Sequence, residues 1–432
     1  MSKKEVLIQK ILRWFAVKIL QKYKPMVIGI TGSVGKSTAK EMIFAVLEND
    51  SQVRKSEKNY NNEVGIPLAI IGISGEKKNI WQWSKVVVKS IFLIVLPSQY
   101  PEVLVLELAA DRVGDIQYFC DFIPIEIGVL TNVGISHLEK FKTKENIFRE
   151  KTYLLKQAKE LAIYNGDNIK ADKIKRIIKS GVRSYGFQDE ADLQIIDNQY
   201  RYTSEGLLRG MKFELNYKGK IISGKFNNII GRPYLYGLMP ALVIADYFKL
   251  NLGEALHNLE NFLAIPGHLS LIEGIKNTVI IDDTYNSAPT SVREALKVIE
   301  NIRAKRKIIV LGDMLELGEE EQKAHQKIGE QLGGLDSVVF VAVGERMKLA
   351  VKSFKLKLQE KEIGEVEMNS RVKWFADSGQ AGDFLEQNIT EKDVILVKGS
   401  QGMRMEKIVV KLMKEKERRE ELVVRQGREW MG

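Results

Sequence analysis

Cysteine is almost missing from this chain, for Cys120 stands alone among 432 residues. A lone thiol excludes an internal disulfide framework and any metal site built from several cysteines, and it suits a reducing cytoplasm. Long apolar runs are missing too. Residues 6–20 are interrupted by Lys10, Arg13 and Lys18, and residues 86–96 by Lys89 before Pro97 ends them. Neither reaches the ~20 consecutive apolar residues that a membrane-spanning helix needs, and the first does not read as a signal segment. The 9 prolines and 34 glycines are spread rather than clustered, which excludes a collagen-like, mucin-like or prion-like chain.

What is present suits a folded, globular protein: 44% of residues are hydrophobic and 28% charged. The length exceeds one ordinary core and implies two or three domains. Lysine and arginine outnumber the acids by 66 to 56, a net charge of +10. That balance favours anionic partners, whether nucleotides, anionic lipid or nucleic acid, without choosing among them. Residues 1–25 read as a basic amphipathic helix. It is expected to pack its apolar stripe on the domain behind it, with peripheral docking at the inner face of the membrane as the alternative.

Two α/β units follow. Residues 26–30, 103–108, 126–130 and 161–164 are near-continuous apolar runs separated by helical segments, the pattern of parallel strands covered on both faces. From about 183 to 230 the texture becomes alternating, as in appended antiparallel β, and two helices over 238–248 and 252–262 close the unit. Pro266 and Gly267 mark the expected boundary. Beyond it, runs at 278–282, 307–311, 337–341 and 393–397 predict a second, Rossmann-like α/β domain over 266–432. Its tail, 406–429, reads as one highly charged, solvated helix.

The strongest motif is Thr31, Gly32, Ser33, Val34, Gly35, Lys36, Ser37 and Thr38, set between the first strand and a helix. In such a turn the backbone N–H groups and the positive helix end cradle phosphates, Lys36 reaches the terminal phosphates, and the Ser37 hydroxyl can bind Mg²⁺. Ile30 occupies the position of the usual first glycine. A phosphate loop alone leaves kinase, GTPase, helicase and ligase open. Glu107 ends an apolar strand, where parallel sheets face their ligand crevice, and can hold Mg²⁺ or its waters. His137 follows another strand end, and Lys151 lies within a helical run where a solvated lysine is the ordinary reading.

Taken in order, the phosphate loop, the segment Asn59-Tyr-Asn61-Asn62-Glu-Val-Gly-Ile-Pro67, Glu107, Thr131-Asn-Val and His137 resemble the Mur ligases of peptidoglycan synthesis. Downstream, Asp282-Asp283-Thr-Tyr285-Asn286-Ser-Ala-Pro, Leu311-Gly-Asp-Met-Leu-Glu-Leu-Gly318 with His325, and Leu396-Val-Lys398-Gly-Ser400 look like the branch that adds D-alanyl-D-alanine to a UDP-N-acetylmuramoyl-peptide. The resemblance implies a central ATPase domain over 26–265, a C-terminal domain that closes over the substrates, and ATP with two Mg²⁺ as cofactors. It also implies catalytic roles for Lys36, Glu107, His137 and Lys151, the last as a carbamylated lysine. Metal contacts fall to Ser37, Glu107, His137 and Lys151, nucleotide contacts to Asp283, Tyr285 and Asn286 besides the loop, and substrate contacts to Asn59, Asn61, Asn62 and Lys398. No nucleic-acid partner is expected.

The resemblance has departures. The phosphate loop begins 30 residues in, so the expectation is that the family's UDP-binding domain is not part of this sequence. The UDP-muramoyl substrate is therefore expected to bind without it, to bind with help from another chain, or to be replaced by another substrate. Gly237 stands where the family has an asparagine near the adenine, His268 where it has arginine, and Tyr153 where it often has glutamate. A ligase for a different amino-acid or peptide acceptor, and a non-catalytic ATP-binding relative, are the competing readings.

Overall fold

The computed structural model describes residues 3–57, 60–73, 80–134, 138–427 and 430. The chain divides into two compact units, Met1–Asn198 with Phe213–Gly224 and Arg232–Glu260, and Gln199–Lys212 with Lys225–Gly231 and Asn261–Gly432. Asn59 and His137 lie outside the described residues.

In the first unit, β1 (Met26–Thr31) is the hub. It pairs in parallel with β3 (Val103–Glu107) on one side and β4 (Ile127–Leu130) on the other. With β2 (Val53–Lys55), β5 (Leu161–Asn165), β6 (Gly181–Gly186), β7 (Leu193–Tyr202), β8 (Leu208–Tyr217) and β9 (Lys220–Phe226), the sheet order is β2-β3-β1-β4-β5-β6-β7-β8-β9. The chain leaves β1 toward an outer strand on one side and returns on the other, so the carboxyl end of β1 is a topological switch point where ligands enter such sheets. Every residue of β3, β4 and β5 is buried, as helices on both faces require.

The appended β segment is partly corrected. Strand β6, expected within the antiparallel region, pairs in parallel with both β5 and β7. Its apolar residues continue the parallel core rather than starting a new layer. The connections over 203–207 and 218–219 are too short for a parallel crossover, so β8 runs antiparallel to its neighbours β7 and β9.

Helix α1 (Lys3–Tyr23) packs as expected, burying Leu12, Phe15, Ala16, Ile19 and Leu20 in the first core. Helices α2 (Lys36–Leu47), α3 (Gly65–Ile71), α4 (Ile80–Val95) and α5 (Asp115–Cys120) follow. The helix Arg232–Tyr247 starts six residues before the expected position 238 and carries Pro240 inside it.

The second unit orders β10 (Ser270–Glu273), β11 (Val279–Asp283), β12 (Lys307–Gly312), β13 (Val338–Val343), β14 (Val372–Phe375) and β15 (Val394–Lys398) as β10-β11-β15-β12-β13-β14. All pairs are parallel except β10 with β11. The tail is not one solvated helix. It breaks after Glu406–Leu412, because Ile408, Val409, Leu412 and Met413 are drawn into the second core and Met413 turns extended to bridge Gly274.

Candidate active site

Between the end of β1 and the start of α2 the chain must turn within four residues. Gly32 and Gly35 allow it with φ of 153° and 80°, backbone that side-chain-bearing residues rarely adopt. Gly32 is needed for space as well, since a Cβ there would run into the Thr131 hydroxyl. The loop is braced from β4 and the segment after it: Thr131 Oγ1 donates to Val34 O at 2.6 Å, Ser33 N to Asn132 O at 2.9 Å, and Gly134 N to Ser33 Oγ at 2.8 Å. No side chain caps α2, so its first-turn N–H groups face the loop ready for an anion. The Lys36 ammonium folds back to donate to Gly32 O at 3.0 Å.

The strand-end carboxylate reaches this loop. Ser37 Oγ donates to Glu107 Oε2 at 2.9 Å, and Glu107 N donates to Ser56 Oγ at 3.0 Å. Glu107 is buried, and its compensating cation is Lys40, whose Nζ lies 3.6 Å from Glu107 Oε2 and 3.4 Å from Glu41 Oε1. Glu41 in turn pairs with Lys55. The sequence reading missed Lys40. Its signal was its place one turn after Lys36 on the same helix, which looked like solvated surface.

Lys151 reverses the ordinary reading of a helix lysine. It sits on the helix Lys144–Gln157, whose start is capped by Thr143 accepting from Asn146 N at 3.1 Å, and it is 2% exposed. Burial and then the charge of Lys36 push its ammonium down to about 8, partly offset by Glu150 and Asp111. Glu150 does not salt-bridge to it. Its carboxylate accepts from Gly114 N at 2.8 Å and Ile116 N at 2.6 Å, satisfying the start of α5.

Of the predicted substrate residues in this unit, Asn62 has a local structural task. Its Oδ1 accepts from Val64 N at 3.2 Å and Gly65 N at 2.8 Å, capping α3, while the Asn61 carbonyl accepts from Ala109 N at 3.1 Å. Gly237 explains its own departure from the family pattern. A Cβ there would meet Thr38 Cγ2 at 2.6 Å, so glycine lets the helix Arg232–Tyr247 lie directly against α2. A second cluster escaped the sequence reading: Asp167 accepts from Phe187 N, from Gln188 N at 3.0 Å and from the Tyr236 hydroxyl at 2.8 Å, and Arg232 stacks 4.5 Å from the Phe187 ring centre.

In the second unit the structure joins Asp283 and Lys398, which form a buried ion pair at 2.7 Å. Lys398 Nζ also donates to Asn286 O at 2.9 Å, fixing the turn that carries Tyr285 and Asn286, both exposed. The Tyr285 ring lies 4.6 Å from that of His268. Next door, burial pushes the Asp282 carboxyl up to about 7 despite hydrogen bonds from Thr284 and Gly267. His325 is structural: Met314 N donates to its Nε2 at 3.1 Å while Nδ1 faces Glu321 O at 2.7 Å, so both ring nitrogens are engaged by backbone.

Comparison with known proteins places these features. Residues 30–245 match the Mur ligase middle domain, and residues 269–401 match the Mur ligase, glutamate ligase domain. The UDP-N-acetylmuramoyl-tripeptide–D-alanyl-D-alanine ligase of Bacillus subtilis is 28% identical over 405 residues, covering 93% of this chain and 79% of its own. The ligase of the same name from Escherichia coli is 26% identical over 404 residues, covering 91% and 78%. The crystal structure of MurF ligase from Thermotoga maritima in complex with ADP superposes with a TM-score of 0.74 at 25% identity, covering 95% of this chain and 84% of that one. With half of its residues in the middle-domain match alone and the ordered loop, strand-end acid and buried lysine in that region, this chain belongs to the Mur ligase family.

Proposed function

We propose that the chain is an ATP-dependent amide ligase that joins D-alanyl-D-alanine to a UDP-N-acetylmuramoyl-peptide through an acyl phosphate. The observation that carries this reading is the meeting of Lys36, Ser37 and Glu107 at the switch point of one sheet, with Lys151 close enough to feel the charge of Lys36. The names of the relatives in Bacillus subtilis and Escherichia coli supply the substrates. A relative was crystallised with ADP, which supports ATP as the phosphoryl donor.

The donor set suits Mg²⁺. Ser37 Oγ and the Glu107 carboxylate are hard oxygens at hydrogen-bond distance. Among the described residues no group of three or more His, Cys, Asp or Glu gathers, so phosphate oxygens and water would complete the shell. When bound, the ion supplies neutralisation of phosphate charge. A second ion, assigned to His137 and a carbamylated Lys151, belongs to the same proposal. The lowered Lys151 pKa supports it, because only a neutral amine takes up CO₂.

The chain's own residues then position and neutralise. The loop N–H groups and Lys36 hold the triphosphate. A carboxylate oxygen of the muramoyl peptide attacks the γ-phosphorus and ADP leaves. The amine nitrogen of D-alanyl-D-alanine attacks the acyl carbon, loses a proton, and inorganic phosphate departs. In the second unit, the Asp283–Lys398 pair is assigned to holding Tyr285 and Asn286 in their working turn.

Phosphate release from ATP, Mg²⁺, UDP-N-acetylmuramoyl-tripeptide and D-alanyl-D-alanine tests the reading. Release that needs both acceptors supports it. Release only with another amine or carboxylate would move the chain to a different substrate, and none with any pairing would leave it an ATP-binding relative without ligase activity.

A further inference from the structure

The surface of the first unit carries apolar area that the ligase chemistry does not use. Helix α4 buries one side through Val86, Ser90 and Leu93 but turns Trp81, Val88, Ile91, Phe92 and Val95 outward, with Trp81 75% and Val88 66% exposed. Spacings of three and four residues place these on one stripe. An exposed apolar stripe of this length on a helix already packed on its other side marks an interaction surface. Helix α1 does the same. Opposite its buried stripe it exposes Leu7, Ile11 and Trp14.

The two helices are joined. Lys22 at the end of α1 donates to Leu93 O at 2.8 Å and Leu96 O at 2.6 Å at the end of α4, and the Tyr23 hydroxyl donates to Leu93 O at 2.8 Å. The charge around the apolar stripes is predominantly basic. Lys10 and Lys18 sit one turn to either side of Trp14, Lys85 one turn after Trp81, and all three are exposed. Helix α1 has six basic residues against the single acid Glu5, and α4 has no acid at all.

We propose that α1 and α4 form a docking face for an anionic lipid surface. Outward tryptophan, aliphatic residues and phenylalanine flanked by lysine are the chemistry of a helix lying in the interface, apolar side about 5–10 Å into the headgroup boundary and lysines on the phosphates. The helices lie on the bilayer rather than cross it, since no described helix is long and apolar enough to span a membrane. A second copy of the chain fits less well. Self-association would bring together two faces on which Lys10, Lys18 and Lys85 are exposed and α1 and α4 offer the single acid Glu5, and like charges across an interface repel. The face is independent of the substrate assignment, so it stands or falls separately.

The test is co-sedimentation of the full chain with vesicles of phosphatidylcholine alone and of phosphatidylcholine mixed with phosphatidylglycerol. The protein is expected to pellet with the mixed vesicles, to be released by high salt, and to stay in solution with the neutral ones. The triple variant Lys10→Glu, Lys18→Glu, Lys85→Glu and the double variant Val88→Ser, Phe92→Ser should each bind at least about tenfold more weakly while keeping circular dichroism and ADP affinity unchanged. Wild-type protein left in solution with both vesicle types overturns the proposal, as does undiminished binding by either variant. A dimer in light scattering that Val88→Ser, Phe92→Ser dissolves, without vesicle binding, assigns the face to a second copy instead and equally overturns it.

Discussion

The Ser37 hydroxyl donates to the Glu107 carboxylate at 2.9 Å although 70 positions separate them. The contact exists because β1 and β3 are hydrogen-bonded neighbours in register, Ile30 beside Glu107, so the turn after one strand opens onto the last residue of the other. In the proposed reaction this hydroxyl and carboxylate, held together beside the glycine turn, are the start of a metal site. Glu107→Gln preserves the shape and removes the charge. It should lower phosphate release by at least about 100-fold, the usual scale for losing one charge-stabilising group, and Lys36→Ala should do the same. Turnover within threefold of wild type in either folded variant would refute the assignment.

Lys40 makes a burial prediction. Its ammonium is the compensating cation between Glu107 and Glu41, and it is almost wholly buried. Lys40→Met leaves Glu107 uncompensated and should cost about 3 kcal/mol in urea unfolding. In a Glu107→Gln background the same substitution should cost at least about 1 kcal/mol less. Equal costs in both backgrounds would show that the pair is not coupled.

Lys151 makes a pH prediction. Its folded pKa of about 8 lies below its ordinary value, so between about 8 and 10.5 the unfolded chain holds a proton that the folded chain has lost. Stability from this group therefore rises with pH across that window and is lowest below about 8. Lys151→Met should stabilise the protein at pH 7 by up to about 3 kcal/mol, with the gain shrinking toward pH 10. Uptake of ¹³C-labelled bicarbonate as a carbamate signal should grow from pH 7 to 9 in wild type and vanish in the variant. A pH-independent difference in stability would contradict the burial argument.

Gly237 makes a packing prediction. Restoring an asparagine there puts a Cβ 2.6 Å from Thr38 Cγ2, at the first turn of the phosphate-loop helix. Gly237→Asn should cost about 1–3 kcal/mol from overpacking and weaken ADP binding by displacing Thr38. Unchanged melting temperature and ADP titration would mean that the two helices separate without penalty.

Arg425 makes a prediction for the tail. Its guanidinium pairs with buried Glu406 at 2.9 Å and donates to Thr284 O and Tyr285 O, pinning the segment after the last helices to the Tyr285 turn. Arg425→Met should cost about 3 kcal/mol and raise hydrogen exchange at Thr284 and Tyr285. Unchanged exchange there would place the tail's hold elsewhere.

Much of this protein is legible in its sequence. Local order announced itself: apolar runs closed by glycine gave β1 and the loop to α2, and the motif order identified the family. These signals survive in one dimension because strand, turn and helix are set by neighbours along the chain. The helix start at Arg232, the parallel pairing of β6 and the broken tail were misread for the opposite reason. Each depends on which distant surface the segment packs against.

The sequence by itself thus determined the two α/β units, the glycine turn between β1 and α2, the charge balance and the family. Tertiary structure alone decided that Ser37 meets Glu107, that Lys40 and Lys151 are buried rather than solvated, and that α4 turns tryptophan and phenylalanine outward. A lysine or a valine reads the same in a sequence whether water or protein surrounds it. Burial, the charges nearby and the register of strands 70 positions apart follow only from the order in which the sheet assembles.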